Sequence, residues 1–252
     1  MRFSTITLGA LLLAATATPA LAQDTSAPPP LTVTGGVTLV SDYRFRGFSQ
    51  NGEKAAVQGT INVTHESGFY VGTWASSIDF KNLDGAGNGL TTEVDLYGGY
   101  SKQVAPGLTL DVGLLYYLYP KKFTNKVATD FFEPYINLST TLGPVSAKVG
   151  ANYAWDQDAL GGKSAVYFHT DLSTAIPKTP FTLTGHAGYA KSDSFLGGAD
   201  GDVFNYSVGV SATWKALTFG VSYVNTDAPT AFGYKEAAGA DGAAIFSIGA
   251  AF

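Results

Sequence analysis

Apolar side chains recur at every second position through nearly every segment of this chain, and that period confines it to strands with one apolar and one polar face. The closing segment shows the pattern plainly. Ala244, Phe246, Ile248, Ala250 and Phe252 alternate with mostly small residues, and the chain ends on an aromatic. A terminal strand of this kind is how an outer-membrane β-barrel closes on its first strand, which makes Phe252 a candidate assembly signal.

Read by parity, strands are expected at Leu31–Arg46, Ala55–Glu66, Phe69–Phe80, Thr92–Gln103, Leu108–Tyr119, Thr129–Thr141, Val145–Trp155, Ser164–Ser173, Phe181–Ala190, Val203–Trp214, Leu217–Asn225 and Ala243–Phe252. The fold class that follows is all-β: a transmembrane up-and-down antiparallel barrel of about 12 strands, or roughly 10 or 14 if one hairpin is merged or split. Pro134 cannot donate to a ladder, so a bulge or break is expected there.

The connections separate a membrane barrel from a secreted sandwich or lipocalin-like barrel. Those after even-numbered segments are short: Glu66–Gly68, Ala105–Gly107, Gly143–Pro144, Ile176–Pro180 and Lys215–Ala216. Those after odd-numbered segments are long and polar, from Gly47–Lys54 to Thr226–Gly242. Short periplasmic turns alternating with long extracellular loops are the mark of an outer-membrane barrel, and both mature termini are then expected in the periplasm. Outward aromatics are expected in two girdles, with Tyr43, Phe45, Phe80, Phe132, Trp155, Tyr189, Phe204 and Tyr223 above and Tyr70, Tyr100, Phe181, Trp214 and Phe252 below.

The N-terminus carries Arg2, an apolar run from Ile6 to Ala15, and the small-x-small site Ala20-Leu21-Ala22. Residues 1–22 therefore read as a secretory signal peptide, 23–30 as a Pro-rich tether ending Pro28-Pro29-Pro30, and 31–252 as the barrel. No later stretch reaches the roughly 18 apolar residues of a membrane-spanning helix. The chain has no Cys, which excludes disulfides and thiolate metal sites. Its net charge of -5, one unit more negative without Arg2, argues against a nucleic-acid partner and for a mild preference for cations.

Two segments carry a family resemblance: Val40-Ser41-Asp42-Tyr43-Arg44-Phe45-Arg46-Gly47 followed by Ser49-Gln50, and His65-Glu66-Ser67-Gly68-Phe69-Tyr70-Val71-Gly72-Thr73-Trp74-Ala75-Ser76. They resemble the TorF-family porins of proteobacteria. The resemblance extends over the whole mature chain and implies an outer-membrane barrel conducting small solutes; it brings no catalytic residue.

Polar-face ionisable residues bear on conduction, because a Lys or Arg facing lipid at the midplane costs about 2 to 4 kcal/mol. The lumen charge candidates are Arg44 and Arg46 near the extracellular end of the first strand, with Asp79, Glu93, Asp95 and Glu133 at the same level of neighbouring segments. They either set a transverse field that selects ions or pair with one another and fill a narrow barrel. His169 and His186 share lumen parity, and a turn centred near Pro177 sets them opposite each other, where with Asp171 they could sense pH or hold a metal.

An outer-membrane enzyme is the competing class. No Gly-x-Ser-x-Gly elbow or His-Glu-x-x-His is present, and His65-Glu66-Ser67 is turn-bound. Asp84–Gly89 and Gly197–Asp202 lack the setting of a phosphate loop or an EF-hand and read as surface loops. The sequence thus reads as a passive channel for small hydrophilic solutes or ions, without cofactor or chemical step. A plugged structural or adhesive barrel is the alternative. The expected partners are outer-membrane lipid and lipopolysaccharide, the barrel insertion machinery, periplasmic chaperones and the solutes themselves.

Overall fold

Alternation becomes architecture in the computed structural model, which describes residues 30–80, 89–120 and 128–252. The strands are β1 (Leu31–Val40), β2 (Arg44–Phe45), β3 (Phe48–Ser49), β4 (Ala56–His65), β5 (Phe69–Phe80), β6 (Leu90–Ala105), β7 (Leu108–Leu118), β8 (Phe131–Leu142), β9 (Val145–Gln157), β10 (Lys163–Ala175), β11 (Phe181–Ser192), β12 (Asp202–Trp214), β13 (Leu217–Thr226) and β14 (Ala243–Ala251). β2 and β3 form a small hairpin of their own; the others make a closed 12-strand antiparallel barrel in which each pairs with its neighbour in sequence. The glycine-rich segment 84–88, the signal-peptide residues and all of the tether before Pro30 lie outside the described residues.

Closure follows from the ends of the chain. β14 pairs with β1 from Gly36↔Ala251 to Val40↔Ser247. Beyond that ladder, Gly35 and Phe252 exchange two main-chain hydrogen bonds, 3.0 and 2.9 Å. The Phe252 ring lies over Gly35, where a Cβ would come within 2.6 Å of its Cζ.

The outward face is the apolar one. Val33, Val37, Ile61, Val71, Leu96, Leu114, Val149, Phe168, Val208 and Phe246 are all exposed, as a lipid-facing band requires. Among the described residues, charges with outward parity stand only near strand ends, at Asp79, Lys102, Lys191 and Asp202. Phe132, Trp155, Tyr189, Phe204 and Tyr223 ring the long-loop end, with Phe132 stacked between Tyr116 and Trp155. Phe181, Trp214, Phe252 and Phe69 lie toward the other.

Two sequence expectations are corrected. The first strand stops at Val40 and does not run to Arg46. Tyr43 and Phe45 leave the girdle and turn into the barrel, where Tyr43 is buried against Trp74 and Phe45 meets Tyr117 edge-on.

The faces of β5 are the reverse of those expected. Tyr70, Trp74, Ser76 and Ile78 point inward and are buried, while Phe69 and Val71 face out, and Phe80 packs against the interior cluster. Apolarity does not fix the face here because both faces of β5 carry apolar side chains. What decides it is the aromatic cluster that the inner set joins.

At Pro134 the strand continues and pairs with Leu114 of β7, but the register with β9 stops at Tyr135↔Asn152. There the Gln157 side-chain amide takes over, accepting from Phe132 N at 2.8 Å and donating to Phe132 O at 2.9 Å. A side chain stands in for the ladder that proline interrupts.

Candidate functional site: the lumen

The inward face changes along the barrel. Toward the short turns it carries Thr and Ser, at mid-height it carries charge, and toward the long loops it is packed. The packing comes from the β1–β4 connection, which folds inward.

Its Arg46-Gly47 turn has both residues at positive φ, 50 and 92, as a two-residue hairpin demands. Gly47 is obligatory for a second reason: a Cβ there would lie 2.2 Å from Thr226 Cγ2. Tyr43 and Phe45, before the turn, join Trp74, Tyr117 and Phe131, the last two stacked at 4.3 Å, in one interior cluster, and Phe48, after it, packs against a second one with Tyr167 and Val203. Such ring pairs are worth about 0.5 to 1.5 kcal/mol each beyond area burial.

At the hairpin tip the Arg46 guanidinium reaches across the lumen to Glu133 of β8, donating from Nη2 to Oε1 at 2.6 Å with both side chains buried. The other Glu133 oxygen accepts from Tyr117 Oη and Asn152 Nδ2, each at 3.1 Å. Arg46 also lies 4.1 Å over the Tyr167 ring, a cation–π contact in a dry setting. Its Nη1 has no hydrogen-bond partner.

The remaining charge candidates separate. Arg44 belongs to the hairpin and not to the barrel wall. It donates to Asp42 at 2.5 Å and Glu53 at 3.0 Å, and to main-chain oxygens of Gly47, Gly239 and Asp241. Asp79 is not luminal, because the reversal of β5 places it at the rim with Lys54, 3.0 Å away. Glu93 and Asp95, two apart on β6, are luminal and buried. Glu93 accepts from Tyr43 Oη at 3.3 Å, while Asp95 Oδ1 has no hydrogen-bond partner.

The histidines come together, but in a different register. The β10–β11 turn closes through Ile176 N to Phe181 O, with Lys178 at positive φ, and sets Asp171 opposite His186 and His169 opposite Gly188. Asp171 accordingly binds both imidazoles, His169 Nδ1 at 3.1 Å and His186 Nδ1 at 2.7 Å, together with Lys148 Nζ at 2.8 Å. On its other side His186 Nε2 meets Tyr167 Oη at 2.9 Å and Asn205 Oδ1 at 3.1 Å. Three ring nitrogens are thus already engaged, and among the described residues no group of three or more His, Asp or Glu side chains is arranged to hold a metal ion.

Several luminal residues stand outside the candidate set. Tyr167 joins the two clusters, with Arg46 on its face and His186 at its hydroxyl. Below them Tyr70 donates to Asp111 at 2.6 Å and touches Tyr135 Oη at 2.5 Å, and Asn137 donates to Asp111 at 3.2 Å. The signal was present as inward Gly beside inward Tyr on neighbouring strands. A Cβ on Gly113 would meet Tyr135 at 2.4 Å, and one on Gly188 would meet Tyr167 Oη at 2.0 Å.

A family model described as a bacterial protein of unknown function, Gcw_chp, matches residues 23–252. The chain belongs to this family. No curated protein matches this Gcw_chp chain in sequence.

In structure the Gcw_chp barrel is similar to the NanC porin, with TM-score 0.56 and 12% identity over 88% of this chain and 99% of that one. It is also similar to the KdgM porin, solved in complex with disordered oligogalacturonate, with TM-score 0.55 and 8% identity over 88% and 98%. At such identities the likeness is one of fold: an outer-membrane-type barrel.

Proposed function

We propose that this chain is a porin-like channel of the bacterial outer membrane that passes small hydrophilic solutes or ions, with a preference for cations. The observation that carries the reading is the contrast between the two faces of one closed sheet. The outer is apolar and uncharged away from its ends, and the inner holds a column of ionisable and hydroxyl groups.

Luminal carboxyls at Asp111, Glu133 and Asp171 outnumber the bases Arg46 and Lys148, and an excess of fixed negative charge favours cations in a narrow pore. An acidic oligosaccharide of the kind bound by KdgM is therefore not the solute we propose. Export by residues 1–22, insertion by the barrel machinery with chaperone help, periplasmic termini, and kinship with TorF-family porins belong to the same proposal, as does the absence of a chemical step.

The test is single-channel recording of refolded protein in planar bilayers under a KCl gradient. Discrete openings with a cation-selective reversal potential are expected, and Asp111→Asn should move that potential toward zero. Anion selectivity would reject the charge argument. The packed long-loop end favours a second reading, a plugged structural barrel, and a silent bilayer from well-folded protein would decide for it.

A further inference from the structure

We infer that the β2–β3 hairpin is a latched gate, held in the lumen by the Arg46–Glu133 pair and able to leave while the barrel stays intact. The inference rests on the channel reading and adds its regulation. The hairpin is a two-stranded sheet separate from the barrel sheet, so its departure breaks no barrel ladder. The segment around it is held by a few main-chain bonds, Ser49 N to Gly239 O and Asp79 N to Gln50 O, both 2.9 Å, and otherwise by side chains.

Its tip is poorly suited to a permanent plug. A buried ion pair adds little net stability compared with apolar packing, because desolvating two charges offsets their attraction. Here the Arg46 backbone is also in the left-handed region, and its Nη1 is buried without a partner. Breaking such a pair leaves an uncompensated buried charge, so losing one partner favours the undocked hairpin. Docked, the hairpin buries Glu93 and Glu133; undocked, it exposes both to the lumen.

Because the chain contains no Cys, one introduced thiol reports on the gate. Ser49→Cys places it at a buried hairpin position, to be labelled by a water-soluble charged maleimide in the refolded barrel. Adding Arg46→Ala leaves Glu133 buried without its cation and should raise the labelling rate and the open probability at least about tenfold, the scale of a 1.4 kcal/mol change in the docking equilibrium. Labelling unchanged by that substitution would overturn the gate.

Faster labelling without any openings would support hairpin release while rejecting the channel.

Discussion

Asp171 shows how one carboxylate can organise a wall. It accepts from Lys148, His169 and His186, and each of those groups would otherwise face the lumen without that acceptor. Asp171→Asn keeps the shape but removes the charge and leaves only one amide oxygen to accept. Loss of about 1 to 3 kcal/mol is expected, the scale for hydrogen bonds to charged groups, read as a lower urea midpoint for the refolded barrel. An unchanged midpoint would mean that solvent replaces these contacts. Lumen parity of Asp171 and the histidines was readable from alternation alone. Their partnership was not, because it depends on a turn whose closure at Ile176 and Phe181 shifts the register from the one expected.

Among the strands, the pairing of glycine with an aromatic across the sheet sets where the lumen can be filled. Gly188 on β11 leaves room for Tyr167 on β10, whose hydroxyl occupies the space a Cβ would take. Gly188→Ala should evict that ring, with its contacts to Arg46, His186 and Asn205, and lower stability by about 1 to 3 kcal/mol, as overpacking typically does. Gly185→Ala on the same strand is the control: nothing lies within 4 Å of its Cβ, so a near-neutral result is expected. Equal denaturation midpoints for the two variants would sink the argument. The hairpin was the element least readable from sequence. Tyr43, Arg44, Phe45 and Arg46 continue the alternation of β1, so a period-two reading runs straight through the point where the chain leaves the sheet.

For the whole molecule, closure is the step on which the fold depends, and Phe252 completes the ladder between β14 and β1. Phe252 contributes two main-chain hydrogen bonds to Gly35 and a ring laid over it. Deleting Phe252 removes all of these, whereas Phe252→Ala keeps the main-chain pair. Assembly into outer membranes, followed by heat-modifiable gel migration, should fall far more for the deletion than for the substitution. Conductance of whatever assembles should be nearly unchanged. Equal loss in both variants would place the effect in recognition of the aromatic ring and not in closure.

The sequence alone determined the barrel class, the alternation of short turns and long loops, and the outward face of most strands, because lipid outside and water inside impose a strict period of two. Tertiary structure alone decided the inside of the long-loop end. Once a strand carries apolar residues on both faces, as β5 does with Phe69 and Val71 opposite Tyr70 and Trp74, periodicity no longer says which set faces lipid. That choice is made by contacts across the lumen, where Tyr43 meets Trp74 and Arg46 meets Glu133, and such long-range pairing leaves no periodic trace in the chain.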